Sequence, residues 1–276
     1  MKILQNLPQV IVRGSRFAWG IVGGLGEYIF KLVPSGRHRD QLELAKWCQR
    51  VSHRLLASLN ITLGQAGAPP SAGMVASNHL SYLDIIVLAA IAPSTFVSKY
   101  EVKYWPIFGW FGTLAGTLFL RRERKAHAVE VSQQFSSVIN SGALLTLFPE
   151  GTSTDGRTVK PFHSTLFQQV AKQDWKVTPA WLHYQMSLGS VEREVCFVDD
   201  MLFVPHFLNL LACDRIEAHV VFGHAAPTGL NRKELARYLH NQVCRLAAEH
   251  SGCERFSNPQ VEWDESNLTA PVVSPG

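Results

Sequence analysis

The sequence predicts an α/β fold: a mixed, largely parallel sheet flanked by helices and preceded by an N-terminal helical pair. Three observations point there. From about residue 61, short apolar runs alternate with helix-length patterns, as expected for a sheet covered by helices. Ala143–Phe148 (ALLTLF) is a strongly apolar strand bounded by Gly142 and Pro149. Residues before 61 carry helical spacing and no strand pattern.

The elements follow in order. Residues 9–34 read as a helix with Phe17, Trp19, Tyr28 and Phe30 among apolar neighbours and Arg13, Arg16 and Lys31 at its flanks. Glu27 interrupts its uncharged run, which is shorter than the about 18 apolar residues that a spanning helix needs. An interfacial helix fits better, making the N-terminal pair membrane-associated; an ordinary packing helix is the alternative. Residues 35–45 are a polar connector, and residues 46–60 form the second helix, with Trp47, Val51, Leu55 and Leu59 on one face. Strands are expected at Gly73–Ser77, Thr95–Ser98, Leu118–Leu120, Ala143–Phe148, Val177–Leu182, Val195–Phe197 and Ile216–Phe222. Helices are expected at Leu83–Ile91, Ala126–Asn140, Leu166–Gln173 and Arg232–His250. Residues 104–120 are uncharged, but Pro106, Gly109, Gly112 and Gly116 argue for a hydrophobic loop facing lipid or an acyl chain rather than one helix. Three parts result: an N-terminal interfacial helical unit over 1–60, an α/β domain over 61–256, and a polar, Pro-rich disordered tail over 257–276.

Composition narrows the classes. Apolar residues make up 46% and charged residues 17% of the 276, too apolar for a disordered chain. Mean hydropathy of +0.03 lies between that of soluble enzymes and multi-span membrane proteins. A net charge of +4 suits anionic headgroups or phosphate-bearing co-substrates. The basic residues are scattered and no nucleic-acid motif surrounds them, so nucleic acid is not an expected partner. The five cysteines, Cys48, Cys196, Cys213, Cys244 and Cys253, form no CxxC pair. That argues against a zinc site or disulfide framework and for a reducing compartment.

Three groups of residues carry chemistry. In Asn78-His79-Leu80-Ser81-Tyr82-Leu83-Asp84, a histidine precedes an aspartate by five positions, between an expected strand and helix. A histidine there can take a proton from a hydroxyl, and a carboxylate can hold the ring. The spacing works if His79 lies before the helix and Asp84 in its first turn. The same residues also read as a capping box, with Ser81 as N-cap and His79 a turn residue. In Phe148-Pro149-Glu150-Gly151-Thr152, Pro149 stops a strand and Gly151 permits a tight turn, displaying Glu150 on the edge that holds His79 if the strands are parallel. Ser153, Thr154, Asp155 and Gly156 extend a polar loop able to donate to a headgroup; a plain turn with an exposed acid is the alternative. Arg121, Arg122, Arg124 and Lys125 either clamp a phosphate or form a solvated charged loop.

Taken together, NHLSYLD (78–84), GTLFLRR (116–122), FPEGT (148–152) and VTPAWL (177–182) resemble the four motif blocks of the glycerolipid acyltransferase family, in order and separation. This family comprises the lysophosphatidic acid acyltransferases and their relatives, including a lyso-ornithine lipid branch. The resemblance covers about residues 60–225 and implies an O-acyltransferase acting on a lysolipid. It implies that His79 is the base, Asp84 its orienting partner and Arg122 the phosphate-binding arginine. It places Glu150 and Gly151 in the acceptor block, with Asn78, Phe148, Pro149, Thr152 and Ser153 also lining the substrate site, and it makes Pro179 the mark of the fourth block. It implies acyl-CoA or acyl carrier protein as co-substrate, with no bound cofactor or metal and no acyl-enzyme. The site is expected at the cytoplasmic face of the inner membrane, held peripherally or monotopically. Backbone N–H groups at the 81–84 helix start are expected to stabilise the oxyanion.

Two positions depart from the family pattern. Ser153 stands where many lysophosphatidate enzymes have arginine, and His163 where related enzymes often have lysine. The acceptor is therefore expected to be 1-acylglycerol-3-phosphate or a related lysophospholipid, with a less anionic one such as lyso-ornithine lipid as the alternative. A non-catalytic lipid-binding protein and a hydrolase on the same fold are the rival readings.

Overall fold

The computed structural model describes residues 2–105, 107–121, 131, 133–198 and 200–251. Seven strands form one sheet in the order β1-β7-β6-β2-β5-β3-β4. They are β1 (Ile61–Ala66), β2 (Met74–Ser77), β3 (Ser94–Lys99), β4 (Leu118–Leu120), β5 (Leu144–Leu147), β6 (Val177–Met186) and β7 (Ile216–Phe222). Every neighbouring pair is parallel except β6 with β7. The mixed, largely parallel sheet is therefore as expected. Buried apolar side chains form one cluster on each face, as a sheet covered on both sides requires.

The helices are α1 (Lys2–Gln5), α2 (Leu7–Glu27), α3 (Gln41–Ser58), α4 (Leu83–Ile91), α5 (Phe108–Leu114), α6 (Phe135–Asn140), α7 (Gln168–Gln173), α8 (Val191–Glu194), α9 (Phe203–Ala212) and α10 (Arg232–Ser251). The helix α2 packs on α3 at close range. A Cβ on Gly24 would meet Val51 at 2.8 Å, so glycine is what lets the two backbones approach. Trp47 donates to the Gly24 carbonyl at 3.0 Å and stacks on Phe111 with ring centres 5.4 Å apart. Glu27 receives Arg50 at 2.7 Å and Arg54 at 2.9 Å, fixing the register of the pair. The other side of α2 grips α9: Asn6, Gln9 and Arg13 donate to the carbonyls of Leu211, Ala212 and Cys213, which end that helix. No described helix is long and apolar enough to cross a membrane.

Several expectations need correction. Val195–Phe197 is not a strand: it follows the short helix α8, and its one strand-like bond runs from Phe197 N to Leu80 O at 2.9 Å. Helix α3 begins at Gln41, inside the expected connector, because Asp40 caps it by accepting from Leu42 N and Glu43 N. The apolar segment after Tyr104 is not a loop throughout but contains α5. Gly109 permits this, since a Cβ there would lie 2.1 Å from the Lys103 carbonyl oxygen. Of the expected helix 126–140, α6 covers Phe135–Asn140, and residues 126–130 and 132 lie outside the described residues. Residues 122–130, with Arg122, and the expected tail 257–276 lie outside the described residues.

Candidate functional site

The parallel pairing of β2 with β5 carries both motif loops to one edge of the sheet. Residues 78–82 leave β2 and enter α4, so His79 precedes the helix and Asp84 lies in its first turn. His79 Nδ1 sits 2.8 Å from Asp84 Oδ2. The Asp84 side chain is fully buried, while that of His79 is 21% exposed. With Nδ1 committed to the carboxylate, Nε2 is the nitrogen left for a substrate. The flat face of the ring rests on Phe148, with ring centres 4.2 Å apart.

Four donors converge on Asp84. Besides the imidazole, Oδ2 accepts Leu80 N at 2.6 Å and Ser81 N at 2.9 Å, and Oδ1 accepts the Tyr184 hydroxyl at 2.7 Å. A buried carboxylate costs much free energy unless such donors surround it. This overturns Ser81 as the N-cap of α4 and takes two of the four N–H groups at 81–84 away from an oxyanion. Ser81 does not cap α4: its hydroxyl is buried without a hydrogen-bond partner among the described residues, and the Asp84 carboxylate takes the free N–H groups instead. For the same reason Ser81 N is not available to an oxyanion, and Asp84 N is bonded to Ser81 O at 3.1 Å.

The residues around the dyad are tied together. The Asn78 amide donates to Leu182 O at 2.9 Å and accepts from Leu182 N at 2.8 Å, so both its ends are spent on β6. Glu150 is not displayed at the surface but buried, at 3% exposure. Its Oε1 accepts His79 N and its Oε2 accepts Lys160 N, each at 2.7 Å. Burial pushes its proton affinity up, and the N–H groups of Lys160 and His79, one on each oxygen, pull it back down and favour the carboxylate. Gly151 adopts φ 79°, the left-handed turn expected after Pro149. Ser153 donates its hydroxyl to Phe197 O, and Thr154 donates both N–H and hydroxyl to His79 O. Thr152 is exposed, and Pro149 O accepts His163 N at 2.9 Å. Pro179 lies in β6 one residue before the β7 pairing begins at Ala180; its carbonyl accepts Gly223 N at 2.9 Å, and its missing N–H cannot return that bond, so the ladder stops there. Arg121 stacks over Tyr100, 3.8 Å from the ring centre.

An apolar cavity of about 70 Å³ lies on the α4 side of the sheet, with Ile85 and Ile86, the residues after Asp84, in its wall. Phe17, Val51, Ile86, Phe96, Phe108 and Phe111 are among its lining residues, drawn from α2, α3, α4, β3 and α5. Phe96 stacks on Phe148, the ring that supports His79, with centres 6.3 Å apart. Two contributors escaped the sequence reading, Tyr184 and Phe96. Both lie on strands whose neighbours are set by pairing, which no local pattern displays. Among the described residues no cluster of His, Cys, Asp or Glu could hold a metal ion. The described cysteines 48, 196, 213 and 244 form no disulfide with one another.

Residues 64–183 match the model of the family described as Acyltransferase. The chain is 35% identical to a lyso-ornithine lipid O-acyltransferase of Pseudomonas aeruginosa over 70% of this chain and 75% of the relative. It is 35% identical to a lyso-ornithine lipid O-acyltransferase of Rhodobacter capsulatus over 80% of this chain and 82% of the relative. A 1-acyl-sn-glycerol-3-phosphate acyltransferase of Neisseria meningitidis is 31% identical over 60% of this chain and 64% of the relative. The crystal structure of the 1-acyl-sn-glycerophosphate acyltransferase PlsC from Thermotoga maritima superposes with a TM-score of 0.69 at 18% identity, covering 96% of this chain and 100% of that one. At that identity the likeness is one of fold.

Proposed function

The chain belongs to the acyltransferase family, and we propose that it moves a fatty acyl chain from a thioester onto the free hydroxyl of a lysolipid. The observation that carries this reading is the 2.8 Å contact of His79 Nδ1 with the buried Asp84 carboxylate. That contact sets the tautomer and leaves Nε2 as a base. The acceptor hydroxyl donates to Nε2. As its oxygen bonds to the thioester carbonyl carbon, the proton passes to the ring, and the fixed carboxylate stabilises the imidazolium. When the C–S bond breaks, the imidazolium returns the proton to the departing thiolate, so no acyl-enzyme forms. The donor in this reading is acyl-CoA or acyl carrier protein.

The acyl chain enters the cavity beside Phe96. An apolar cavity stays dry, so filling it with hydrocarbon releases no tightly held water. The membrane face is the outer side of α2 with its neighbour α9. Ile11, Val12, Trp19, Val22 and Phe30 on or just after α2, and Leu202, Val204 and Leu208 on or beside α9, are exposed large apolar side chains.

For the acceptor, lyso-ornithine lipid is favoured over lysophosphatidate. Ser153 offers no cation to a phosphomonoester and gives its hydroxyl to Phe197 O. Arg157, a little further on, is held in a fork by Glu192 at 2.9 and 3.0 Å. Thiol release from an acyl thioester, measured with each lysolipid in turn, tests both levels. His79→Ala is expected to lower the rate by about 10²–10⁴-fold. Undiminished turnover by that variant rejects the mechanism, and a higher kcat/KM for lysophosphatidate rejects the acceptor.

A further inference from the structure

We propose that Tyr184 is a positioning residue for acyl transfer, which acts through Asp84 to hold the His79 ring and to set the pH at which it becomes a base. The inference rests on the transfer reading given above. Its geometric basis is that β6 outlasts its partner. The β2–β6 ladder ends at Ser77 opposite Ala180, yet β6 runs on to Met186. The extension passes beside the segment that leaves β2. Along it, Ala180, Leu182 and Tyr184 point to the same face. The backbone of Leu182 takes both ends of the Asn78 amide, and two residues on, Tyr184 donates its hydroxyl to Asp84 Oδ1 at 2.7 Å. The first and last residues of the 78–84 motif are thus both fastened to one strand, at consecutive positions on one face.

The two oxygens of Asp84 have different partners. Oδ2 serves the motif itself: the imidazole at 2.8 Å and the N–H groups of Leu80 and Ser81 at 2.6 and 2.9 Å. Oδ1 has Tyr184. Burial, and then the neighbouring Asp84 charge, push the ionisation of Tyr184 well above its ordinary value, so the phenol stays a donor at any working pH. That donor draws part of the carboxylate charge away from the ring. Without it, Oδ1 is a buried acceptor with no partner, and more negative charge faces the imidazole. The imidazolium is then favoured, and the ring binds its proton to a higher pH. The other titratable groups about this point are Glu150, on His79 N, and Cys196 and Tyr82, whose charge would bear on Tyr184. Burial holds the two latter groups neutral, with the Cys196 thiol pushed up to about 12 and the Tyr82 phenol above its ordinary value.

The test is the pH profile of kcat/KM for Tyr184→Phe, which removes one oxygen and keeps the ring. The acid limb is expected to move to higher pH, and kcat to fall about ten-fold, the size of one hydrogen bond to a charged group, with KM nearly unchanged. A second variant carries 3-fluorotyrosine at position 184, a stronger donor of the same shape, and covers the case in which Tyr184→Phe does not fold. Its acid limb is expected to move the opposite way. In an Asp84→Asn background the Tyr184→Phe change is expected to have little further effect, since the charge through which it acts is gone. An acid limb that stays put in both position-184 variants while kcat is unchanged overturns the role of Tyr184, and if His79→Ala is inactive in the same assay the transfer reading survives that failure. Should His79→Ala retain transfer, the reading falls and this inference with it.

Discussion

The Glu150 carboxylate accepts the backbone N–H of His79 at 2.7 Å, so an acid that follows β5 holds the residue that supplies the ring after β2. Its other oxygen holds Lys160 N, also at 2.7 Å. An amide cannot replace it, because glutamine presents one oxygen and one NH₂ to two N–H groups. Glu150→Gln is expected to leave one buried N–H unpaired, at about 1–3 kcal/mol of stability, and to loosen His79. Thermal denaturation should show a lower Tm, and the transfer assay a loss of roughly ten-fold or more. A variant indistinguishable from wild type in both measurements would contradict the clamp.

Asn78 makes a separate prediction. Its amide closes a two-bond ring with the backbone of Leu182, where β2 has ended and β6 continues. Asn78→Ala removes both partners at a buried site and is expected to cost about 2–4 kcal/mol, taking roughly 1–2 for each bond. Because the contact is with the protein, the KM for acceptor should change little while the Tm falls. A large rise in KM with an unchanged Tm would instead place this amide on the substrate.

These ties explain what could be read in advance. The His–Asp spacing, the tight turn at Gly151 and the strands at Leu118–Leu120 and Ile216–Phe222 follow from local pattern, and each was expected. Helix α9 was not expected, because FVPHFLNLLA has no polar rhythm and contains Pro205. A proline in the first turn of a helix costs little, since its N–H would be unbonded there. Val195–Phe197 has strand-like composition for another reason: Cys196 packs in the core, and the Phe197 ring lies 5.4 Å from that of Tyr82. The part played by Tyr184 depends on β6 pairing with β2 and running past its end, a long-range fact that residues 177–182 do not carry.

The apolar cavity beside Phe96 predicts a chain-length effect. Ala115 lines it and is 6% exposed. Ala115→Leu adds three carbons to that wall. The added bulk should cost about 1–3 kcal/mol of stability if the surroundings cannot move, and should shorten the space for an acyl tail. Assayed over a series of thioesters, the variant is expected to lose kcat/KM on long chains and keep it on short ones. A uniform loss across the series would mean that the tail lies elsewhere.

The last prediction concerns pH and stability away from the site. His183 on β6 stacks between Trp181, 4.1 Å away, and His219, 5.0 Å away, and its Nδ1 is buried without a hydrogen-bond partner among the described residues. Burial, followed by the charges of His219 and His250, pushes its pKa down to about 4. A histidine depressed in the folded state binds fewer protons there than when unfolded. Its contribution to stability is therefore whole above the ordinary histidine value of about 6.5 and is lost as the pH falls toward 4. His183→Phe keeps a ring in the stack but cannot bind a proton. Denaturant midpoints at about pH 7 and about pH 5 should therefore fall further apart for the wild-type protein than for this variant. Equal differences in the two proteins would mean that His183 is protonated as readily in the fold as outside it.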